Sequence, residues 1–229
     1  MILRPTIFDR ESHVIAGFTT RLYSPGNGVA VEQIADGLAK DFGFAEVASA
    51  EQVHGNVVEG VDEPGHFSGC DGLVSNEKDL LLTVRAADCA LVLLADTANN
   101  VIGACHAGWR GTVGHIATRT VLKMETLGGV ASKIKAYITP CISLENFEVG
   151  EEVAERFPDG FVHRRETWLR PHVDMRGTIA AQLVDAGLPF DSIEIAQGCT
   201  VADRTHFYSY RAENGTQGRM IGFIGLRVD

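Results

Sequence analysis

The sequence lacks the features that brace a small exported domain. It contains no Cys-x-x-Cys pair, and its five cysteines, Cys70, Cys89, Cys105, Cys141 and Cys199, are odd in number and spaced without a disulfide framework. Finger-type structural zinc, whose ligands come in close pairs, is thereby disfavoured, as is a cross-linked secreted scaffold. No uninterrupted apolar run approaches the roughly 20 residues of a membrane helix, and the opening stretch MILRPTIFDRES has no apolar signal core. Basic blocks are missing too. Twenty Lys and Arg stand against 30 Asp and Glu, for a formal net charge of −10. That balance argues against non-specific binding to nucleic acid or anionic membrane, although a local arginine cluster can reverse the field inside one cleft. The expectation is a cytoplasmic protein, in a reducing compartment, whose thiols stay free to bind metal.

What is present fits one globular domain over residues 1–229, large enough to bury a core without metal or disulfide staples. Repeats, low-complexity tracts and an interdomain linker are absent. Thr6–Tyr23 alternates loosely and reads as strand, followed by a Pro-Gly-Asn-Gly turn at Pro25–Gly28. Val31, Ile34, Leu38 and Phe42 recur at helical spacing. AEVASAEQVHG reads as a strand closing on Gly55, with NVVEGV as its neighbour and DGLVS as another strand. LLLTVRA, LVLLAD and VIGACHAG are short apolar runs, read as buried strands. The last breaks at Gly108 and leads into a helix from about Arg110 to Leu127. KIKAYITPCI is a strand stopped by Pro140, VGEEVAERF begins a short helix, and VDMRGTIAAQLVDAG is a helix with Gly187 as its stop. IEIAQGCT and RMIGFIGLRV close the sheet or sheets. Strands and helices mix without strict βαβ alternation, so the fold class is α+β, with mixed β-sheets flanked by helices.

Three segments place metal-competent residues where apolar runs end: QVHG (Gln52–Gly55), RAADC (Arg85–Cys89) and CHAGWRG (Cys105–Gly111). Strand ends can project such side chains into a common cleft. His54 and His106 offer imidazole nitrogens and Cys89 a thiolate, a set that suits a tetrahedral Zn²⁺ with its fourth position open for catalysis. The competing reading of each histidine is a hydrogen-bonded structural residue. Cys105 and Cys141 sit in apolar strands and read as buried filler, Cys70 as incidental in the turn SGCDG, and Cys199 as structural. Around the metal candidates, Asp88 is either an acid–base group or the carboxylate that orients a ligand histidine. Gln52, two residues before His54, falls on the same side of a strand. Arg110, at a helix start after Gly108, suits a phosphate or carboxylate, or else pairs with a local acid such as Asp88. Arg21, at the end of FTTR, is either an anion contact or a surface arginine.

These blocks are familiar. QVHG, DGLVSN with LLLTVRAADCALVLLAD, VIGACHAGWRGT, ITPCISLENFEVGEEV and the closing GCT…HFYSYRAENGTQGRMIGFIGL resemble the bacterial laccase-domain family, which is also described as polyphenol oxidoreductases and as purine nucleoside phosphorylase/adenosine deaminase enzymes. The resemblance runs from about Gln52 onward. It implies a compact mixed α/β fold related to cysteine-hydrolase-like proteins, and zinc on His54, Cys89 and His106. It further implies zinc-dependent phosphorolysis of adenosine, inosine, guanosine and methylthioadenosine, and deamination of adenosine, with nucleoside and phosphate as partners and arginines such as Arg211 among the substrate contacts. The chain departs from the family pattern after TTR, where glycine-rich segments are shortened. It departs also at Phe147, where a tyrosine is common, and at Arg211–Ala212, where two arginines are usual. Three other functions compete. One is an amide hydrolase that removes a wrongly added amino acid from a muramic acid nucleotide, with Cys89 as ligand or as nucleophile. Another is a copper oxidase, disfavoured because the chain has no His-x-His pair. The third is a binding module without turnover.

Overall fold

The computed structural model describes residues 1–23 and 30–228. The turn expected at Pro25–Gly28 lies outside the described residues. The strands are β1 (Ile2–Leu3), β2 (Val14–Thr19), β3 (Glu46–Ala50), β4 (Val58–Gly60), β5 (Gly65–Phe67), β6 (Gly72–Ser75), β7 (Leu80–Ala86), β8 (Ala90–Asp96), β9 (Val101–Ala107), β10 (Lys135–Ile138), β11 (Val162–His163), β12 (His172–Val173), β13 (Ile193–Ile195) and β14 (Met220–Leu226). The helices are α1 (Val31–Phe42), α2 (Trp109–Val113), α3 (Ile116–Thr126), α4 (Glu151–Ala154) and α5 (Met175–Asp185).

Two mixed six-stranded sheets stack face to face. One runs β1-β2-β14-β7-β3-β5, the other β13-β10-β8-β9-β6-β4, and β11 and β12 form a separate ribbon. The period-2 geometry of a strand explains why LVLLAD is apolar throughout. Leu91, Leu93 and Ala95 face the core between the sheets, while Ala90, Val92 and Leu94 face a second core under α3 and α5. Helix α1 covers the outer face of the other sheet through Ile34, Leu38 and Phe42, packed with Leu81 and Phe223. Each such fully buried leucine or phenylalanine contributes on the order of 1.5–3 kcal/mol. The α+β class with mixed sheets is as expected, and among the described residues no helix is long and apolar enough to cross a membrane.

Three local expectations are corrected. NVVEGV is no neighbour of AEVASA, because β4 pairs in parallel with β6 in the opposite sheet. The helix foreseen over Arg110–Leu127 is two helices, broken where His115 adopts a left-handed φ of 59°. QVHG is not strand: β3 stops at Ala50, and Gln52 and His54 both have φ near 62°. The alternation argument that put their side chains on one side therefore does not hold.

Candidate metal centre

Sheet register brings two of the three donors together. Strands β8 and β9 are antiparallel, with Leu91 opposite His106 and Ala90 opposite Ala107. Cys89, one residue before β8, thus lies beside the end of β9. The third donor arrives through Asp71, which immediately precedes β6. Its carboxylate accepts from the backbone N–H groups of Val53 (3.1 Å), His54 (3.0 Å) and Gly55 (2.7 Å), folding the QVHG loop around a single anion. The same carboxylate bonds His106 Nδ1 at 2.8 Å, and the Asp71 carbonyl accepts from the His106 N–H at 2.7 Å. A left-handed residue such as His54 is strained, and these bonds hold it in place. Burial alone would raise the Asp71 carboxyl, but the His106 ring and the Gly55 and His54 N–H groups outweigh it and hold the group below the usual carboxylate range.

The resulting donor atoms of His54, Cys89 and His106 all lie within 4.8 Å of one another. The two imidazoles meet edge to face, ring centroids 4.9 Å apart. With Nδ1 of His106 committed to Asp71, its Nε2 is the nitrogen left for a ligand, the carboxylate–histidine pairing that orients metal-binding imidazoles. Burial pushes the Cys89 thiol up, yet the facing His106 and His54 rings pull it down further, to about 6. His106 moves the other way: burial lowers it, and the charges of Cys89 and Asp71 raise it to about 9. A thiolate is thus the stable form of Cys89 at neutral pH. Space is also reserved. A Cβ on Gly108 would stand 3.2 Å from Cys89 Sγ, 3.4 Å from His106 Cε1 and 3.5 Å from His54 Cδ2, so the absence of a side chain there opens the cradle between the donors. Gly111 allows α2 to approach the loop, since a Cβ there would lie 2.8 Å from the Gly55 carbonyl oxygen. Two nitrogens, one thiolate and an open side fit a single divalent transition-metal ion.

The three donors form the floor of a cavity of about 430 Å³. Of the residues the sequence singled out around the metal candidates, Asp88 and Arg211 line it, whereas Arg21, Gln52 and Arg110 do not. Arg21 is spent on the Arg204 and Phe207 carbonyls and on the Glu213 carboxylate at 3.1 Å. Gln52 uses both ends of its amide on the Arg85 backbone, extending the sheet edge by one side-chain rung. Arg110 is exposed and stacks over the Trp109 ring at 4.2 Å instead of pairing with Asp88. Asp88 is not the carboxylate that orients a ligand histidine; Asp71 fills that place. The sequence reading gave no site role to Asp71, Arg85 or Arg219, nor to the aromatic wall of Trp109, Phe147 and Tyr210. Their one local signal was position: Asp71 opens a strand run, and Arg85 sits at the end of another. Among the remaining thiols, burial pushes Cys105 and Cys141 up to about 12 and Cys70 to about 11, so these three are inert filler. Cys70, read as incidental, packs into the core between the sheets.

Comparison with known proteins gives the family and the fold. The family described as multi-copper polyphenol oxidoreductase laccase matches residues 13–227. A purine nucleoside phosphorylase of Deinococcus radiodurans is 43% identical over 196 residues, 82% of this chain and 74% of that protein. Adenosine deaminase RL5, from an unknown prokaryotic organism, is 34% identical over 171 residues, 72% of this chain and 64% of that protein. The crystal structure of Bacillus licheniformis hypothetical protein YfiH superimposes with a TM-score of 0.87 at 25% identity, covering 99% of this chain and 96% of that one.

Proposed function

This chain belongs to the multi-copper polyphenol oxidoreductase laccase family, and from that premise we propose that it is a zinc-dependent enzyme of purine nucleosides, active in phosphorolysis of adenosine, inosine, guanosine and methylthioadenosine and in deamination of adenosine. The observation that carries the proposal is the convergence of His54, Cys89 and His106 on the floor of a cavity walled by aromatic rings and arginines. The names of the relatives, purine nucleoside phosphorylase and adenosine deaminase, support the substrate class.

The walls match a nucleoside. Trp109 and Phe147 offer aromatic rings and Ile142 an apolar side chain to the cavity, a lining that suits a purine base. Arg85, Arg211 and Arg219 line the same cavity; each donates part of its guanidinium to backbone carbonyls, of Glu51, of Glu148 and of Thr216 and Gly218 respectively, and a guanidinium has five N–H donors with which to hold a phosphate as well. In phosphorolysis an oxygen of hydrogen phosphate forms the new bond to the sugar carbon as the bond from that carbon to the base breaks, and the proton that the phosphate carried ends on the departing base nitrogen. The arginines bind and orient the anion, and the aromatic wall excludes water that would otherwise compete. An ion held by the three donors supplies Lewis acidity at neutral pH. Zinc is proposed over copper because a multi-copper centre needs several donor groups, and among the described residues the His54, Cys89 and His106 cluster is the one that forms. The chain's acidic surface and these small-molecule walls speak for a soluble cytoplasmic role without nucleic acid or membrane.

The test is an assay with zinc-loaded protein given adenosine or inosine, with and without phosphate, following free base and ammonia by chromatography. Phosphate-dependent adenine or hypoxanthine, lost in His106→Ala, is the expected result. A zinc-filled protein that turns over no purine would overturn the reading. One observation favours a second function, hydrolysis of an amide in a muramic acid nucleotide: the Cys89 thiol lies within reach of both the His54 and His106 imidazoles, a nucleophile beside a base if no metal claims it. A Cys89→Ser variant that keeps tight zinc but loses amide hydrolysis would establish it.

A further inference from the structure

The turn between β7 and β8 carries Asp88 directly before the metal donor Cys89. Asp88 has φ 87°, a conformation that non-glycine residues seldom adopt, and its side chain is 8% exposed. Both carboxylate oxygens are already engaged. The Thr200 hydroxyl donates to Oδ1 at 2.6 Å, and the Arg211 backbone N–H donates to Oδ2 at 2.7 Å. Its carbonyl accepts from the Ile142 N–H at 2.9 Å. Ile142, Tyr210, Arg211 and Cys89 all face the cavity. One residue therefore ties to the turn that presents Cys89 the segment after β10, the turn at Thr200 and the segment that carries Tyr210 and Arg211.

We propose that Asp88 is a positioning residue: it clamps the Tyr210–Arg211 segment as a substrate-binding wall over the metal donors. Each oxygen takes one short bond from a protein donor, and the two donors come from different segments, so the carboxylate holds those segments to the turn that carries Cys89. The anchored group is a backbone N–H, so the clamp fixes where the Tyr210 ring and the Arg211 guanidinium begin, whichever substrate enters. That this wall contacts a nucleoside rests on the function proposed above; the clamp itself does not.

Three variants separate the alternatives. Asp88→Asn preserves both bonds, because its amide oxygen can accept from the Arg211 N–H while its NH₂ donates to the Thr200 hydroxyl; asparagine also tolerates the backbone. Asp88→Gly keeps the backbone comfortable and removes both acceptors. Thr200→Val removes one bond without changing the turn. Hydrogen exchange of the segment around residues 209–213 is read first, since it needs no turnover. The expected result is exchange about tenfold or more faster in Asp88→Gly, less so in Thr200→Val, and close to wild type in Asp88→Asn. In the purine assay, Asp88→Gly should raise KM far more than it lowers kcat, and Asp88→Asn should recover most of the loss. Unchanged exchange in Asp88→Gly would overturn the clamp. Loss of kcat in Asp88→Asn with the segment still protected would overturn the positioning role in favour of a base. Should no purine be turned over by the wild type, the function proposed above fails while the exchange result still decides the clamp.

Discussion

The floor and the wall of the cavity are each gathered by one aspartate, but the two do different work. Asp71 is fully buried, bonds a donor ring directly, and receives three backbone N–H groups from the loop that carries another donor. Every bond it makes fixes where a metal donor stands. Asp88 reaches no donor ring; its bonds run to Thr200 and to the Arg211 backbone, on the substrate side. The floor is consequently set by strand register and one internal anion. The wall is set by segments between strands, drawn in from distant parts of the chain.

The largest effect that would sharpen this contrast is at the floor. Cys89→Ala or His106→Ala should drop bound metal from about one equivalent to near zero, measured by elemental analysis after dialysis against a weak chelator. Asp71→Asn comes next. The amide cannot accept from His106 and from all three N–H groups, so zinc affinity should fall about 10–100-fold in a competition titration. Equal affinity in that variant would break the assignment of the floor to Asp71. Gly108→Ala should then weaken zinc several-fold while the melting temperature stays near wild type, because its φ of −67° suits alanine and the three atoms nearest the added methyl belong to the donor side chains. A loss of fold instead of metal would mean the cradle is not reserved for an ion.

The smallest effect belongs to neither region and serves as the control. Lys135 bonds Glu11 at 2.6 Å and holds its carboxyl below the usual range, with burial pulling the other way. A lowered folded-state value contributes stability above the ordinary glutamate range, and that contribution is lost as pH falls through the lowered value. Lys135→Ala should therefore cost less than about 1 kcal/mol at pH 7. The gap to wild type should close in acid, with zinc content unchanged, as chemical denaturation at several pH values would register.

Much of the floor was legible because its donors are chemically distinctive and sit where apolar runs stop. The strands β7, β8 and β9 could be read because a strand buried on both faces leaves a continuous apolar run. Of the wall, Asp88 and Arg211 were named and the rest was not legible. Arg85 and Arg219 look like any other arginines in the sequence, and only the β7–β14 pairing and the turn before β14 bring them to one cavity. Asp71 was missed for a related reason: its partners Val53, His54, Gly55 and His106 are 16 to 35 residues away. Gln52 and Arg21 misled because a polar residue beside a motif looks available until its partners are known. Here those partners are the Arg85 backbone and Glu213.

The central claim is that His54, Cys89 and His106 hold one metal ion, with Cys89 bound as thiolate. Titrating metal-free protein with Co²⁺ and recording the near-ultraviolet thiolate-to-metal absorption tests it most directly. The account predicts saturation at one equivalent, with the band lost in Cys89→Ser and weakened in Asp71→Asn. Saturable cobalt binding with no thiolate band, or a band that survives in Cys89→Ser, would contradict it.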